Sequence, residues 1–302
     1  MQLFSLQSTL LTEIKEKPFK LERDIQRVFE ANLPAIMGLQ LVKWEFTIKN
    51  KRIDTLAFDT QSRGFIIIEY KRDRSMSVVD QGFSYLSLML ENKADFIIEY
   101  NESLKQNLKR DEVDWSQTRV AFVSTSFTDN QVQATNFKDL AIELWEVKQF
   151  ENETLMIRPI RKSNAATSIK PLTQNKEELQ KVVEETKVYS EDDIKQRGND
   201  EMQELFEKFK AAILNLTDGI EVIPRKQYIS FKRGKTFFDI TLNSKSIKMW
   251  INQRKGQLED PKKITDDVSQ RGHWGNGDYQ ITVDSDEQLE YIMSLVRQAI
   301  IN

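Results

Sequence analysis

Residues 52–72 read RIDTLAFDTQSRGFIIIEYKR, and the pattern within them decides the fold of the first half of the chain. Two strand-like runs, 52–58 and 65–70, flank a turn-prone DTQSRG at 59–64, where Gly64 is free to take a positive φ. Side chains alternate across a strand, so Glu69 and Lys71 share one face of the second run and Ile68 and Tyr70 the other. Pairing the runs as a hairpin brings Asp54 beside Glu69. Two carboxylates and an ammonium then meet at the frayed end of a sheet.

Phosphodiester hydrolysis needs a cation that neutralises developing charge and lowers the pKa of the attacking water. Magnesium takes oxygen ligands and keeps several waters, so Asp54, Glu69 and the main-chain carbonyl of Tyr70 would suffice to hold Mg2+ or Mn2+. Lys71 is suited to orient the water and to offset charge on a phosphate. Each residue alone has an ordinary explanation: Glu-x-Lys on a strand is a common surface pair, and an aspartate at a strand start often caps a turn. Their joint placement, interrupting otherwise buried strands, points to chemistry, because burying unpaired charge is costly.

Composition narrows the classes. A chain of 302 residues suits two domains. It is 39% hydrophobic and 30% charged, with no apolar run long enough to span a bilayer. The opening MQLFSLQSTLLTEIKEK has no basic region ahead of its apolar residues and no small-residue cleavage site, so no secretory signal is expected and the cytoplasm is the default compartment. The lack of cysteine removes disulfides, cysteine nucleophiles and cysteine zinc sites. The single histidine, His273, removes chemistries that need two, such as HxxxH zinc hydrolases. A formal net charge of −3 is not the footprint of a nucleic-acid binder. That charge is unevenly spread, however. Residues 175–208 hold 11 acidic and 6 basic side chains, a net of −5 that leaves +2 for the rest. Lys49, Lys51, Arg52, Lys71, Arg72 and Arg74 cluster around the paired carboxylates and permit phosphate binding.

Outward from the central stretch, residues 1–20 read as a short strand or arm. Residues 21–32 follow Pro18 and place Leu21, Ile25, Val28 and Phe29 on one helical face, with Glu22 and Asp24 in the first turn. Pro34 and Gly38 are expected to end that helix. A strand at 41–48 leads into the hairpin. Residues 77–92 carry Val79, Phe83, Leu86 and Leu90 at helical spacing beside a polar strip of Asp80, Gln81 and Ser84. Further strands are expected at 94–100, within 115–125, at 141–150 and at 154–160, with a short helix at 129–139. These elements make residues 1–162 an α/β domain. Residues 163–198 are expected to be an acidic, solvated linker. From 199 onward Met202, Leu205, Phe206, Phe209, Ile213 and Leu216 form an amphipathic stripe closed by Gly219. Strands at 228–232, 236–242, 247–251 and 279–283 and a final helix make residues 199–302 a smaller α+β domain.

The pattern Asp54-x14-Glu69-x-Lys71 resembles the PD-(D/E)xK nuclease superfamily. The likeness extends over residues 21–90. Glu22, in LERDIQRVFEANL, matches the acid of the family's first helix; Glu30 is the other candidate, and Glu22 fits the position better. Gln81 and Tyr85, in DQGFSY, match a Q-x-x-x-Y element on the following helix, where the glutamine supports the site or the phosphate. The layout is most similar to the NucS-like branch. The resemblance implies a restriction-endonuclease-like mixed sheet flanked by helices and a metal-dependent endonuclease acting on nucleic acid, DNA ahead of RNA. It implies Asp54 and Glu69 as metal ligands, Lys71 on the water, Glu22 in or beside the metal shell and Gln81 at the phosphate. Arg52, Arg72, Arg74 and Tyr85 would lie along the nucleic acid.

The second domain has its own unusual stretch, GHWGNGDY at 272–279. Its three glycines imply special dihedrals or the close approach of a ligand. With Lys248, Trp250, Arg271, Trp274 and Tyr279 nearby in sequence, one reading is a surface that stacks bases and binds phosphate. The other is a self-packed loop in which His273 and Trp274 cover the sheet. From residue 228 the chain resembles an uncharacterised module appended to nuclease-like domains, which speaks to architecture alone; beside a nuclease, such a module would be expected to select substrate or partner. Two rival functions stand beside the nuclease: a nucleic-acid binder without catalysis, and a protein-interaction adaptor using the acidic linker and the second domain. Salt dependence separates them, because phosphate contacts weaken steeply with salt. No membrane partner is expected, and a homodimer is left open.

Overall fold

A computed structural model describes residues 2–71, 77–163, 165–173 and 176–301. The chain divides into one unit ending at Val188 and another beginning at Tyr189. The first opens with a hairpin, β1 (Leu3–Gln7) and β2 (Leu10–Ile14), where a short strand or arm is expected. Helix α1 (Glu22–Met37) precedes three antiparallel strands, β3 (Gln40–Ile48), β4 (Lys51–Asp59) and β5 (Gly64–Lys71). Then come α2 (Val78–Glu91), α3 (Lys93–Leu104), β6 (Arg119–Ser124), α4 (Asp129–Thr135), β7 (Ile142–Gln149) and β8 (Leu155–Ile160). Two short helices, α5 (Lys170–Thr173) and α6 (Glu177–Glu185), complete the unit. The six strands β3 to β8 form one sheet in sequence order, with β5, β6 and β7 parallel and the outer pairs antiparallel.

β5 is buried from Gly64 to Tyr70, as a central strand covered on both faces must be. Ile66, Ile68 and Tyr70 pack with Ile25, Phe29 and Leu33 of α1. Phe65 and Ile67 point the other way, into a core with Phe83 and Leu86 of α2 and Phe96 and Tyr100 of α3. This alternation fixes which face each polar residue of β5 must take. Gly64 is needed for space rather than for its dihedral: a Cβ there would lie 2.7 Å from the Gln117 carbonyl oxygen, and Arg63 takes the positive φ, at 57°.

Three expectations are corrected. Pro34 does not end the first helix. It removes an intrahelical donor, Asn32 leaves helical dihedrals (φ −127°, ψ 17°), and the kinked helix runs on to Met37. Gly38, at φ 70°, then closes it with its N–H on the Pro34 carbonyl at 3.0 Å. Residues 94–100 are not a strand but part of α3. Phe96 and Tyr100 lie on one side under either period, but Ile98 decides the matter: it is exposed, whereas a strand would put it beside them. Residues 163–198 are not a free linker. Val182 and Val183 of α6 are buried in the first core, and α6 packs on α2.

The second unit contains α7 (Glu191–Lys195), α8 (Asp200–Leu214), β9 (Glu221–Pro224), β10 (Ile229–Arg233), β11 (Lys235–Asn243) and β12 (Ser246–Ile251). It continues with β13 (Asp266–Asp267), β14 (Tyr279–Val283) and α9 (Leu289–Ile301). Its sheet is antiparallel throughout, in the order β13-β14-β12-β11-β10-β9. Ile229, Ile240, Met249 and Ile281 build a core with Phe206 and Phe209 of α8 and Val296 of α9. Ser230, Asp239, Trp250 and Gln280 stand in register on the opposite face. The protein is thus a mixed-sheet α/β unit flanked by helices plus a smaller α+β unit. Among the described residues, no helix is long and apolar enough to cross a membrane.

Candidate active site

β4 pairs with β5 only from Asp59↔Gly64 to Thr55↔Ile68, but stays paired with β3 as far as Lys51↔Ile48. The sheet therefore forks between Asp54 and Glu69, and the charged residues sit in the fork. Asp54 takes the place of a ladder partner: its Oδ2 accepts the Tyr70 N–H at 3.1 Å. Glu69 is 4% exposed and points toward α2, away from Tyr70, whose ring packs edge-on against Phe29 of α1. Its Oε1 accepts from Lys71 Nζ at 2.8 Å and from Gln81 Nε2 at 3.1 Å, and its Oε2 accepts from the Tyr85 hydroxyl at 3.0 Å. Gln81 and Tyr85 are four apart on α2 and so share a face. Ser77 caps that helix by accepting the Asp80 N–H, which sets Gln81 in its first turns.

Burial, and after it the neighbouring Glu69 carboxylate, push the Asp54 carboxyl up to about 6, against the pull of the Tyr70 N–H, Lys71 and Arg52. Burial also raises the hydroxyls of Tyr70 and Tyr85, with Glu69 adding to the effect on Tyr85 and Glu30 to that on Tyr70, so both stay protonated. Among the described residues, the buried Gln81 Oε1 has no hydrogen-bond partner. It is an acceptor without a donor beside two crowded carboxylates, and a cation's bound water would meet that need. N–H and C=O of one strand residue lie on the same edge, so the Tyr70 carbonyl faces the fork with the N–H that Asp54 holds. The donor set is therefore all oxygen, which suits a hard divalent ion. Among the described residues no three acidic or histidine side chains converge, so such an ion would be held by Asp54, Glu69, the Tyr70 carbonyl and water.

The expected residues fall into three groups. Asp54, Glu69, Lys71, Gln81 and Tyr85 come together. Tyr85 is buried with its hydroxyl on Glu69, so it supports that carboxylate and does not line a nucleic-acid surface. Arg52 is exposed next to the fork, and its carbonyl accepts the Tyr85 hydroxyl at 3.4 Å. Arg72 and Arg74 lie outside the described residues. Glu22 is exposed in the first turn of α1, on the stripe it shares with Gln26 and Glu30. Two further members of that stripe touch the site. Gln26 Nε2 donates to the Asp54 carbonyl at 3.2 Å and to Glu30 at 3.0 Å, and Glu30 accepts the Thr55 hydroxyl at 2.6 Å. Gln26 and Thr55 went unread in the sequence. The signal for Gln26 was the polar i, i+4, i+8 spacing of Glu22, Gln26 and Glu30 alongside the apolar stripe of Ile25, Phe29 and Leu33.

In the second unit the glycine-rich loop is self-packed, but not as expected. Trp250 is buried and Tyr279 is half-buried with its hydroxyl accepting the Gly256 N–H at 2.6 Å, whereas Trp274 is 64% exposed.

Residues 190–300 match a family model described as a domain of unknown function (DUF5655). Among solved structures, similarity is found to a repair endonuclease from Pyrococcus abyssi, at 16% identity over 44% of this chain and 50% of that one, with a TM-score of 0.25. A complex of EndoMS with double-stranded DNA gives 13% identity, 48% and 64% coverage and a TM-score of 0.25. SfsA of Pyrococcus furiosus with Ca2+ gives 14%, 49% and 75%, and 0.24. At these scores the chemistry of the fork rests on its own residues. A Haemophilus influenzae protein, described as an uncharacterized protein, is 53% identical over 300 residues, spanning 99% of both chains. Identity at that level over the whole length means that the chain belongs to the same family as this Haemophilus influenzae protein.

Proposed function

We propose that the first unit is a metal-dependent nuclease that hydrolyses phosphodiester bonds of nucleic acid, DNA ahead of RNA. The observation that carries this reading is the fork, where Asp54 and Glu69 face one another with Lys71 on Glu69 and a buried, unpartnered Gln81 oxygen beside them. Asp54, Glu69 and the Tyr70 carbonyl would hold Mg2+ or Mn2+, with Glu22 beyond them on the water shell. When bound, the ion supplies charge neutralisation and a more acidic water. Lys71 has three N–H donors and commits one to Glu69, which leaves donors for the attacking water and a phosphate oxygen. Gln81 Oε1 accepts from that water and fixes its orientation. Gln81 Nε2 and Tyr85 hold Glu69 against rotation. Arg52 offers a cation to the flanking phosphate.

A second reading, a nucleic-acid binder without catalysis, is favoured by one feature: both Glu69 oxygens are already occupied by Lys71, Gln81 and Tyr85. One experiment separates the two. Wild type and the Asp54→Ala/Lys71→Ala double variant are incubated with plasmid, single-stranded DNA and RNA in Mg2+ or Mn2+, and binding is followed in parallel. Cleavage by wild type alone is the expected result and names the substrate class. Equal inactivity with intact binding would move the conclusion to the second reading.

A further inference from the structure

The loop at 272–279 is latched to its sheet by contacts that spare one residue. Asn276 donates both its main-chain N–H, at 2.7 Å, and its side-chain Nδ2, at 2.9 Å, to the fully buried carboxylate of Asp239. Ser230 donates to the other Asp239 oxygen at 2.6 Å. Gly275 lies so close to the Trp250 ring that a Cβ would come within 2.4 Å of it, and at Gly277, φ 87°, a Cβ would come within 2.2 Å of the Ile251 carbonyl oxygen. The Asp278 carboxylate accepts the Lys255 N–H at 2.7 Å, which ties the loop's end to its neighbour. Two of the three glycines, Gly275 and Gly277, are thus explained by the sheet, whereas a Cβ at Gly272 would meet nothing within 4 Å. Trp274, between Gly272 and Gly275, makes none of these contacts and is left 64% exposed beside a segment anchored through Asn276 and Asp278. Holding an indole in water on so ordered a loop has no structural return, whereas a pre-positioned aromatic face is what base stacking requires.

Charge selects the occupant. Residues 225–271, which hold β10 to β13, carry twelve Lys and Arg against five Asp and Glu, a net of +7. The segments on either side, 189–224 and 272–302, carry −5 and −4, so the near-neutral unit hides a basic strand region. Lys248 is on the same face of β12 as Trp250, two residues away, and Trp250 lies under Gly275, next to Trp274. Arg271 is exposed three residues before Trp274. An apolar peptide would need the indole but not the cations; a duplex would need the cations but offers few free base faces.

We infer that Trp274, with Lys248 and Arg271, forms a binding site for unpaired, single-stranded nucleic acid in the second unit, separate from the fork. The site does not depend on the nuclease reading. The test uses the full chain in chelator, so that no cleavage occurs. Binding of a labelled single-stranded DNA, the same sequence as RNA, and the DNA duplex is followed by anisotropy for wild type, Trp274→Ala, Trp274→Phe and Lys248→Glu/Arg271→Glu. Trp274→Ala is expected to weaken single-strand binding roughly 5- to 150-fold, the effect of losing one stacked base, while Trp274→Phe keeps most of it and duplex binding is unchanged. The double charge reversal is expected to flatten the salt dependence, by about 0.7 in log–log slope for each phosphate that the protein no longer neutralises. The DNA and RNA arms identify the strand that is preferred. Unchanged single-strand binding in Trp274→Ala overturns the inference and leaves a protein as the partner of the indole. Failure of the wild type to bind either strand overturns it as well. Binding without cleavage in Mg2+ would remove the nuclease reading and leave this one standing.

Discussion

Asp54 carries a folded-state pKa of about 6 against an ordinary 3.8, raised first by burial and then by Glu69. The folded protein therefore holds a proton on this group that the unfolded chain has already released between those values. Its favourable contribution is complete only below the unfolded value, and it is lost as the pH rises through about 6. At neutral pH the ionised Asp54 is a strain on the fold that serves the site, which is the usual trade where function needs crowded charge. Asp54→Asn keeps the shape and removes the charge. It is expected to stabilise the protein by about 1–3 kcal/mol at pH 8 and by close to nothing at pH 4, where wild-type Asp54 is already neutral. Urea unfolding at the two pH values decides this. An equal effect at both would mean that the Asp54 carboxyl is not raised in the folded protein.

The element that controls the site is α2, because Gln81 and Tyr85 both hold Glu69 from it. Its distance from the sheet is set by Gly82, where a Cβ would fall 2.3 Å from Ile142 Cδ1 and 3.5 Å from the Phe122 ring. Gly82→Ala gains helix propensity, about 1 kcal/mol, but overpacks a buried contact and is expected to lose a net of about 1–2 kcal/mol. Ile142→Val removes the clashing methyl. The double variant should therefore be more stable than the two single losses sum to, a coupling that thermal unfolding of all four proteins measures. Additive losses would show that α2 can slide without penalty. Much of this arrangement was legible in advance: the apolar runs of β4 and β5 and the polar residues interrupting them located the fork, and the likeness of Gln81 and Tyr85 to a Q-x-x-x-Y element pointed to the helix face that meets it. Gln26 was not legible, because polar residues along a helix ordinarily mean a solvated face, and only the fold shows that this face abuts the sheet and meets Thr55 of β4 through Glu30. Phe96 and Tyr100 misled for another reason: positions four apart satisfy both the strand and the helix period, so ADFIIEY did not declare itself.

At the scale of the whole molecule, the question is where the first folding unit ends. Composition suggested residue 162, because KSNAATSIKP at 162–171 is small and polar and the stretch after it is acidic, but the chain divides at Val188. The difference is three buried apolar residues. Ile169, Val182 and Val183 join the same core as Phe83, Leu86 and Leu90 of α2, and Lys93 pairs with Glu185 at 2.9 Å. An acidic helix can be solvated on one face and anchored on the other, and net charge does not distinguish the two. Burying three such side chains is worth at most about 1.5–3 kcal/mol each, less the surface already hidden in the unfolded chain. A fragment of residues 1–162 is accordingly expected to unfold about 3–6 kcal/mol more easily than one of residues 1–188, a large share of the 5–15 kcal/mol that holds a typical domain together. Because α6 rests on the helix that positions Glu69, the shorter fragment should also lose any cleavage activity shown by the longer one before it loses its secondary structure. Urea titration of both fragments, read by circular dichroism and by activity, measures the two effects together. Equal stability would return residues 163–188 to the role of a tether, and would mean that α2 is held in place by the sheet alone.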